Sequence, residues 1–496
     1  MKRQIRILDT TLRDGEQTPG VALGAEEKVE IALALDDVGV DVIEAGSLAT
    51  SDGERAAIKA VTDLGLNTEI SSYSRMRKDD LDLAGDCNID SVNLVIPSSP
   101  LHISTKLKFD ISNPAQKEAF FEKVVEVTEY AKDSGLTIEF SCEDASRSSV
   151  SFLAELYQKG VEGGADRLCY CDTVGALYPE LTKTIFTDLA FRVKAPLSIH
   201  CHDDMGLATA NTLAAVQAGA SCAHLTVNGI GERAGNASLE EVAVALDKFY
   251  KFKTGIDSSK LYRLSRLVAR VTGVPIARNK SLVGENAFTH EAGIHVRDLI
   301  KNSESYEYLR PEIVGRKRRV VLGKHAGLSS IELALKELEL TATDEQKREI
   351  FRRVKEIGDK GKHVTDADLQ SITDTVLDLH HESVIKMKSF TAISGRPVIP
   401  TATVILDVNG KEIIQAETGD GPVDAAVKAI QKAIVSIGDI VLEEYHVEAI
   451  TGGTDALVEV TVRLSGKSDM VISKSTGTDI IEASVEAVIN GMNRLL

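Results

Sequence analysis

The sequence predicts an α/β protein that begins with a (β/α)8 TIM barrel and continues into small helical linker subdomains and a duplicated C-terminal α+β domain. Three observations lead to this prediction. Apolar runs of strand length alternate with helical patterns over the first half of the chain, polar residues follow several of those runs, and an alternating pattern with an internal repeat begins near Lys386. These features predict domains at residues 1–275, 276–380 and 381–496.

Eight apolar, β-branched runs predict the strands of the barrel. They are Ile5–Thr11, Val40–Gly46, Thr68–Tyr73, Val92–Pro97, Thr137–Asp144, Arg167–Thr173, Leu197–Asp204 and Ala223–Gly229. Helical patterns such as Ala25–Asp37, Lys117–Lys132 and Leu207–Ala218 separate most of them. Eight buried strands that alternate with helices indicate a closed barrel. The alternative is a doubly wound sheet, but that fold usually has a glycine-rich turn after its first strand, and here the charged run Asp9–Gln17 follows.

The C-terminal part of the chain contains an internal repeat. Val404–Lys411 aligns with Val460–Lys467, and Val423–Ile430 aligns with Ile481–Val488. Strict alternation of apolar and polar residues predicts half-buried strands, and the second stretch of each copy has helical periodicity. Each copy is therefore predicted to form a hairpin, a further strand and a helix.

The composition restricts the class of protein. At 496 residues and 43% hydrophobic content, the chain is a soluble globular protein too long for one core. Its net charge of −18 argues against nucleic-acid and anionic-membrane partners, and no apolar run reaches the length of a spanning helix. The six cysteines include no C-x-x-C pair, so free buried thiols are predicted. A cytoplasmic protein is expected.

His200 and His202 lie two apart in the seventh predicted strand, so their side chains project from the same face. Such a pair can bind one metal ion or hydrogen-bond to neighbouring groups. Active sites of (β/α)8 barrels lie at the C-terminal ends of the strands, where Asp14 and Asn236 also fall. The two histidines and Asp14, with Asn236 as a fourth ligand, are therefore predicted to bind a divalent Zn, Mn or Mg ion.

Two further residues at the strand ends suggest the kind of substrate. Arg13 precedes the predicted ligand Asp14, and it could stabilise negative charge that develops on a carbonyl oxygen. Thr173 ends the sixth strand and could donate a hydrogen bond to a carboxylate. The ion would act as a Lewis acid on the carbonyl. A 2-oxo acid, which can chelate a metal, is the substrate class that fits these groups.

Several motifs carry a resemblance to a known family. Asp9–Gln17, His200–Asp204, Asn228–Asn236 and Gly293–His295 resemble the 2-isopropylmalate, citramalate and homocitrate synthase family, and the match runs over nearly the whole chain. The resemblance implies condensation of acetyl-CoA with a 2-oxo acid. In that reaction a base removes a methyl proton from the thioester, the enolate attacks the metal-bound ketone, and hydrolysis releases CoA.

The resemblance also implies roles for residues beyond the metal ligands. Glu143 would be a catalytic or substrate-orienting acid, His295 would assist enolisation, and Tyr306 matches a tyrosine that follows this histidine. Many relatives carry Asp-Gly where this chain has Arg297-Asp298. The family further implies a homodimer with shared active sites and a C-terminal regulatory domain that binds an end-product amino acid.

Within the family, several stretches are more similar to archaeal-type citramalate synthases than to isopropylmalate synthases. These stretches are Glu44–Ser47, Ser51–Arg55, Asn93–His102 and Cys169–Gly175. They imply pyruvate as the 2-oxo acid and isoleucine as the feedback effector. Phe140–Asp144 fits isopropylmalate synthases equally well, so 2-oxoisovalerate with leucine as effector is the alternative.

The walls of the substrate pocket are predicted only from strand position, at Ser71, Val95 and Ser141. One or two methyl groups in such a pocket are worth only about 1–3 kcal/mol of discrimination. Two other functions fit the sequence less well. An amino-acid sensor with an inactive barrel is disfavoured because the set of polar rim residues is intact, and a metal-dependent aldolase or lyase is disfavoured by the C-terminal repeat and by Gly293–His295.

Overall fold

Eight parallel strands close into a barrel in the first half of the chain. They are β1 (Arg6–Asp9), β2 (Val42–Glu44), β3 (Glu69–Arg75), β4 (Ser91–Pro97), β5 (Thr137–Glu143), β6 (Arg167–Asp172), β7 (Leu197–Cys201) and β8 (Cys222–Leu225). β1 pairs with both β2 and β8, which closes the sheet. Each strand lies within a predicted run or within two residues of it, so the barrel is confirmed.

This computed structural model describes residues 3–338, 340–360, 364–377, 384–435, 440–449, 458–466 and 470–496. It divides into two compact units. The barrel unit comprises Met1–Thr289 and Tyr308–Arg319, and the C-terminal unit comprises His290–Glu307 and Val320–Leu496. The predicted boundary between residues 380 and 381 lies outside the described residues, and the three-domain division stays a prediction.

Helices surround the barrel sheet. They are α1 (Ala25–Val38), α2 (Asp52–Thr62), α3 (Lys78–Asp86), α4 (Pro100–His102), α5 (Pro114–Asp133), α6 (Val150–Glu162), α7 (Pro179–Arg192), α8 (Ala208–Ala218), α9 (Leu239–Lys248) and α10 (Leu261–Thr272). Local sequence fixes their ends. Asn113 caps α5 by accepting from the backbone N–H groups of Ala115 and Gln116, and Gly39 ends α1 in the left-handed region.

The barrel interior holds a charged network among its apolar side chains. Glu139 on β5 accepts a hydrogen bond from Arg167 Nε at 2.5 Å, and its other oxygen lies 3.5 Å from His224 Nε2. Arg167 also donates to Glu69 at 2.6 Å. Burial alone would raise the pKa of Glu139, but His224 and Arg167 outweigh it and lower the pKa to about 2. The ionised carboxylate is therefore part of the folded core at neutral pH.

Replacing Glu139 with glutamine is expected to destabilise the barrel by roughly 3 kcal/mol at pH 7, because it breaks a buried ion pair. The folded pKa lies below the ordinary value of 4.5, so this stabilisation is present above pH 4.5 and is lost as the pH falls towards 2. Calorimetric melting temperatures of wild type and variant should therefore differ at pH 7, and the difference should shrink below pH 4.5 and approach zero only near pH 2. Glu118→Gln, at an exposed position, is the control; equal melting temperatures at pH 7 would contradict the expectation.

The C-terminal unit begins with short elements and helices. The chain passes from the barrel unit to the C-terminal unit within two strands of two residues each, β9 (Thr289–His290) and β10 (Arg319–Val320). The helices are α11 (Gly293–Lys301), α12 (Leu328–Glu337), α13 (Asp344–Asp359) and α14 (Asp366–Leu377). α12, α13 and α14 enclose a small apolar core that includes Ile331, Ile350 and Val354. This is the predicted helical linker segment.

Two copies of one module follow. The first contains β11 (Ile385–Gly395), β12 (Val398–Val408), β13 (Lys411–Thr418) and α15 (Pro422–Ile434), and the second contains β14 (Val441–Ala449), β15 (Val458–Ser465), β16 (Met470–Gly477) and α16 (Ile480–Leu495). Each copy has a three-stranded antiparallel sheet and one helix, as the repeat predicted. Lys467, the last residue of the aligned hairpin, lies outside the described residues.

Both modules contribute to one apolar core. Alternate residues of β12 and β15 are buried, among them Val404, Leu406, Val460 and Val462, and they share a core with the buried faces of α15 and α16. The period of two in each strand places this apolar face inward. Among the described residues, no helix combines the length and apolar character needed to cross a bilayer.

Candidate active site

The end of β7 and the loops after β1, β7 and β8 bring four of the predicted residues together at the C-terminal end of the barrel. The backbone that follows β8 runs back beside the end of β7, where Asp203 N donates to Gly235 O at 2.9 Å. This arrangement sets Asn236 opposite His202. Asn236 Nδ2 donates to Asp14 Oδ1 at 2.8 Å, which joins the loop after β1 to the same cluster.

The geometry of this cluster fits a divalent metal ion. The Nε2 atoms of His200 and His202 lie 3.3 Å apart, and Asp14 Oδ2 lies 3.7 and 3.9 Å from them. Two nitrogens that bind one ion at about 2.1 Å are separated by roughly 3.0–3.4 Å. Asn236 Oδ1 is buried and has no hydrogen-bond partner among the described residues. Nitrogen and oxygen donors in this combination suit Zn, Mn or Mg.

The protonation states favour metal binding as well. Burial lowers the pKa of His200 well below its ordinary value, and it also lowers the pKa of His202. Burial alone would raise the pKa of Asp14, but the charge of Arg13 and a hydrogen bond from Asn236 act against it, and this pKa lies below the ordinary range. Neutral imidazoles and an ionised carboxylate are the forms that bind metal ions.

Arg13 lies beside the cluster, with its side chain 11% exposed. Its Nε donates to Glu44 and its Nη1 donates to Asp14, each at 2.7 Å. The guanidinium carbon also lies 5.3 Å from the centre of the Tyr73 ring. Burial opposes the charge of Arg13, but the carboxylates of Glu44 and Asp14 outweigh it and raise its pKa. The side chain therefore stays a fixed cation next to the predicted metal ligands.

Glu44 is a site residue whose role the sequence reasoning missed. Its fully buried carboxylate accepts hydrogen bonds from Thr10 Oγ1, Arg13 Nε and Asn93 Nδ2. The available signal was a carboxylate at the end of a short buried strand, directly after two apolar residues. A charged residue in such a place needs a partner, and Arg13 is that partner.

Glu143 and Thr173 lie at the ends of adjacent strands. The Glu143 carboxylate binds Lys106 Nζ at 2.6 and 2.7 Å and lies 3.3 Å from His102 Nδ1. Thr173 Oγ1 accepts a hydrogen bond from Asp144 N at 2.8 Å, which leaves the hydroxyl proton available to a substrate carboxylate. Their predicted roles stay predictions.

The three predicted wall residues differ in their exposure. Ser71 and Ser141 have no exposed surface, and Ser141 Oγ donates to Asn93 Oδ1 at 2.5 Å, whereas Val95 is half-buried. Val95 therefore offers surface to a ligand in this arrangement. Cys171, also half-buried, stands in register with His200 and was not predicted as a wall residue.

His295 and Tyr306 belong to the C-terminal unit and contact each other there. Their rings stack with centroids 4.1 Å apart. In the same segment, Arg297 Nε donates to Asp298 Oδ1 at 3.2 Å, so the pair that departs from the family pattern is joined on the surface of α11. The role of His295 in enolisation stays a prediction.

Comparisons with known proteins identify the family to which the chain belongs. Residues 4–268 match the HMGL-like family, residues 282–362 match the homocitrate synthase post-HMGL domain-like family, and residues 363–496 match the LeuA allosteric (dimerisation) domain. The (R)-citramalate synthase CimA of Methanocaldococcus jannaschii is 50% identical over 99% of this chain and 99% of its own. The chain belongs to the (R)-citramalate synthase family.

Other members of the family are at least as similar. A relative from Methanosarcina acetivorans is 58% identical over 98% of this chain and 99% of its own, and one from Methanothermobacter thermautotrophicus is 51% identical over 99% and 98%. A solved HMG-CoA lyase from Bacillus subtilis is 21% identical and covers 56% of this chain and 97% of its own, with a TM-score of 0.49. The full-length relatives and the family matches confirm the predicted family and the enzyme class, a condensing acyltransferase.

Proposed function

We propose that this enzyme is an (R)-citramalate synthase that condenses acetyl-CoA with pyruvate and releases CoA. The observation that carries the proposal is the cluster of Asp14, His200, His202 and Asn236 beside Arg13 at the C-terminal end of the barrel. Relatives that bear this name match the full length of the chain. A divalent ion held by the cluster would supply a Lewis acid for the substrate ketone.

Other side chains of the barrel unit, together with His295 of the C-terminal unit, suit the remaining steps of the condensation. When the enolate carbon of acetyl-CoA bonds to the ketone carbon, the ketone oxygen becomes an oxyanion, and the fixed guanidinium of Arg13 would stabilise it. Thr173 would donate to the pyruvate carboxylate and Glu143, held by Lys106, would orient the substrate. We assign assistance of methyl deprotonation to His295, whose ring Tyr306 supports. Hydrolysis of the thioester then releases CoA.

The proposed regulation rests on the family match of the C-terminal residues, and the proposed location rests on the substrates. The LeuA allosteric (dimerisation) domain over residues 363–496 supports a homodimer whose C-terminal modules bind an end-product amino acid. Isoleucine is the proposed effector because citramalate leads towards it, and leucine is the alternative. We place the enzyme in the cytoplasm, where acetyl-CoA and pyruvate are available.

The substrate test measures thiol release from acetyl-CoA with pyruvate, 2-oxoisovalerate or 2-oxoglutarate, in the presence of Mn²⁺, Mg²⁺ or Zn²⁺. The value of kcat/KM for pyruvate is expected to exceed that for 2-oxoisovalerate by at least about tenfold, because a pocket shaped for a methyl group would reject the two extra methyl groups. Mass spectrometry should identify citramalate as the product. Prior treatment with a chelator should abolish the release, and one divalent ion should restore it.

Two results would contradict the proposal. A preference for 2-oxoisovalerate would assign the chain to isopropylmalate synthesis, for which leucine would be the effector to test. An absence of CoA release with every 2-oxo acid, from protein that is folded and metal-loaded, would remove the synthase function itself.

A further inference from the structure

Lys28 is a completely buried lysine on the barrel side of α1. An ammonium ion without water needs several close oxygen partners, because its desolvation is costly. Lys28 Nζ has four. It donates to the backbone oxygens of Leu12 at 3.0 Å and Ala45 at 3.1 Å, and it binds the carboxylates of Glu54 at 2.6 Å and Glu16 at 2.8 Å. Its bonds therefore join α1 and α2 to the loops that follow β1 and β2.

The two carbonyl groups adjoin the ion pair between Arg13 and Glu44. Leu12 directly precedes Arg13, and Ala45 directly follows Glu44. The carbonyl of Leu12 shares a planar peptide group with the Arg13 nitrogen, so a bond that fixes one fixes the orientation of the other. Lys28 thus holds the backbone on both sides of the 2.7 Å contact between Arg13 Nε and Glu44.

The surrounding residues leave room for this ammonium group and complete its links. A Cβ atom at Gly46 would lie 2.0 Å from Glu54 Oε1 and 2.9 Å from Lys28 Nζ, so only glycine fits there. Glu16, which binds Lys28 through one oxygen, accepts from Leu23 N at 2.9 Å through the other. The loop that carries Arg13 is therefore tied to the ammonium group at two points, Leu12 and Glu16.

We propose that Lys28 is a positioning residue that sets the place of the Arg13 guanidinium at the site through the backbone of Leu12 and Ala45. The inference rests on the proposed function, in which Arg13 stabilises an oxyanion. Displacement of a catalytic group by about 1 Å can cost about a hundredfold in rate. Arg13 acts on charge that develops in the transition state, so its displacement should lower kcat more than it weakens pyruvate binding.

The test compares Lys28→Met with Lys159→Met, which removes a partly exposed lysine paired with Glu162 on α6. Assays are run at a temperature well below the melting temperature of each variant. Lys28→Met is expected to lower kcat by about a hundredfold, with the pyruvate dissociation constant from calorimetry and the Co²⁺ affinity each within about threefold of wild type. Lys159→Met should match wild type in all three quantities.

A double variant separates positioning from simple support of the fold. Lys28→Met leaves Glu54 half-buried without its cation, and Lys28→Met/Glu54→Gln removes that uncompensated charge. We expect the double variant to recover much of the melting temperature and little of kcat, because the Leu12 and Ala45 carbonyls still lack their donor. Recovery of kcat together with stability, or a Lys28→Met kcat within about threefold of wild type, would overturn the proposal.

Failure of the proposed function would be visible separately. If wild type releases no CoA, a crystal structure of Lys28→Met still decides the role of the lysine. If Lys28 positions Arg13, the Lys28→Met structure should show the contact between Arg13 Nε and Glu44 broken, or the guanidinium moved by about 1 Å. An Arg13 side chain that superposes on that of the wild-type protein would refute it.

Discussion

His202→Ala is expected to slow CoA release from acetyl-CoA and pyruvate by at least about a thousandfold, which corresponds to about 4 kcal/mol of transition-state stabilisation. The Nε2 atom of His202 lies 3.3 Å from that of His200 and 3.9 Å from Asp14 Oδ2, so its removal takes one nitrogen from the predicted metal centre. Alanine has no ligand atom, so the predicted centre keeps only the nitrogen of His200 and the oxygens of Asp14 and Asn236.

The fold of this variant should be preserved. His202 follows the last residue of β7 and lies at the rim, and the backbone bonds of the adjacent residues Cys201 and Asp203 do not involve its side chain. Melting temperature and circular dichroism should therefore resemble those of wild type, while Co²⁺ absorption of the loaded protein should weaken or change. His446→Ala, at an exposed position on β14, is the control for loss of an imidazole. Full activity of His202→Ala would refute the metal assignment.

Arg13→Lys is expected to lower kcat by about a hundredfold to a thousandfold, the cost of losing one oxyanion-stabilising group. Lysine keeps the positive charge, but it cannot reproduce the planar guanidinium that donates to Glu44 through Nε and to Asp14 through Nη1. The KM for acetyl-CoA should change little, because Arg13 is assigned to the ketone oxygen.

Stopped-assay kinetics with saturating pyruvate measure this effect. Arg192→Lys is the matched control, since Arg192 makes an exposed pair with Asp188 one turn away on α7. Wild-type kcat in Arg13→Lys would show that charge alone suffices at this position, and the guanidinium would then have no special part in the reaction.

Most of the fold could be predicted from the pattern of apolar residues along the chain. The eight apolar runs predicted the barrel because strands buried on both faces are apolar along their whole length. Polar residues gather at the C-terminal ends of barrel strands, and this rule led to Asp14, His200, His202 and Asn236. The C-terminal repeat was visible because two separate stretches share both alternation and helical period.

Buried polar residues outside the predicted metal site were harder to predict. Lys28 lies in a helix with a correct predicted range, but a lysine in an amphipathic helix usually faces solvent, and only the tertiary structure reveals its four oxygen partners. Glu44 and His224 likewise lie inside strands that were predicted for their apolar character. The structure reveals their partners because residues distant in sequence meet inside the barrel.

The shared core of the two C-terminal modules has a consequence for biosynthesis. The apolar face of α15 packs within a core that needs the strands and helix of the second module to be complete. During translation the first module emerges some dozens of residues before α16, and its buried valine and leucine side chains then face water. A nonsense mutation that removes α16 would leave that state permanent, so truncated chains should be substrates for chaperones and proteases.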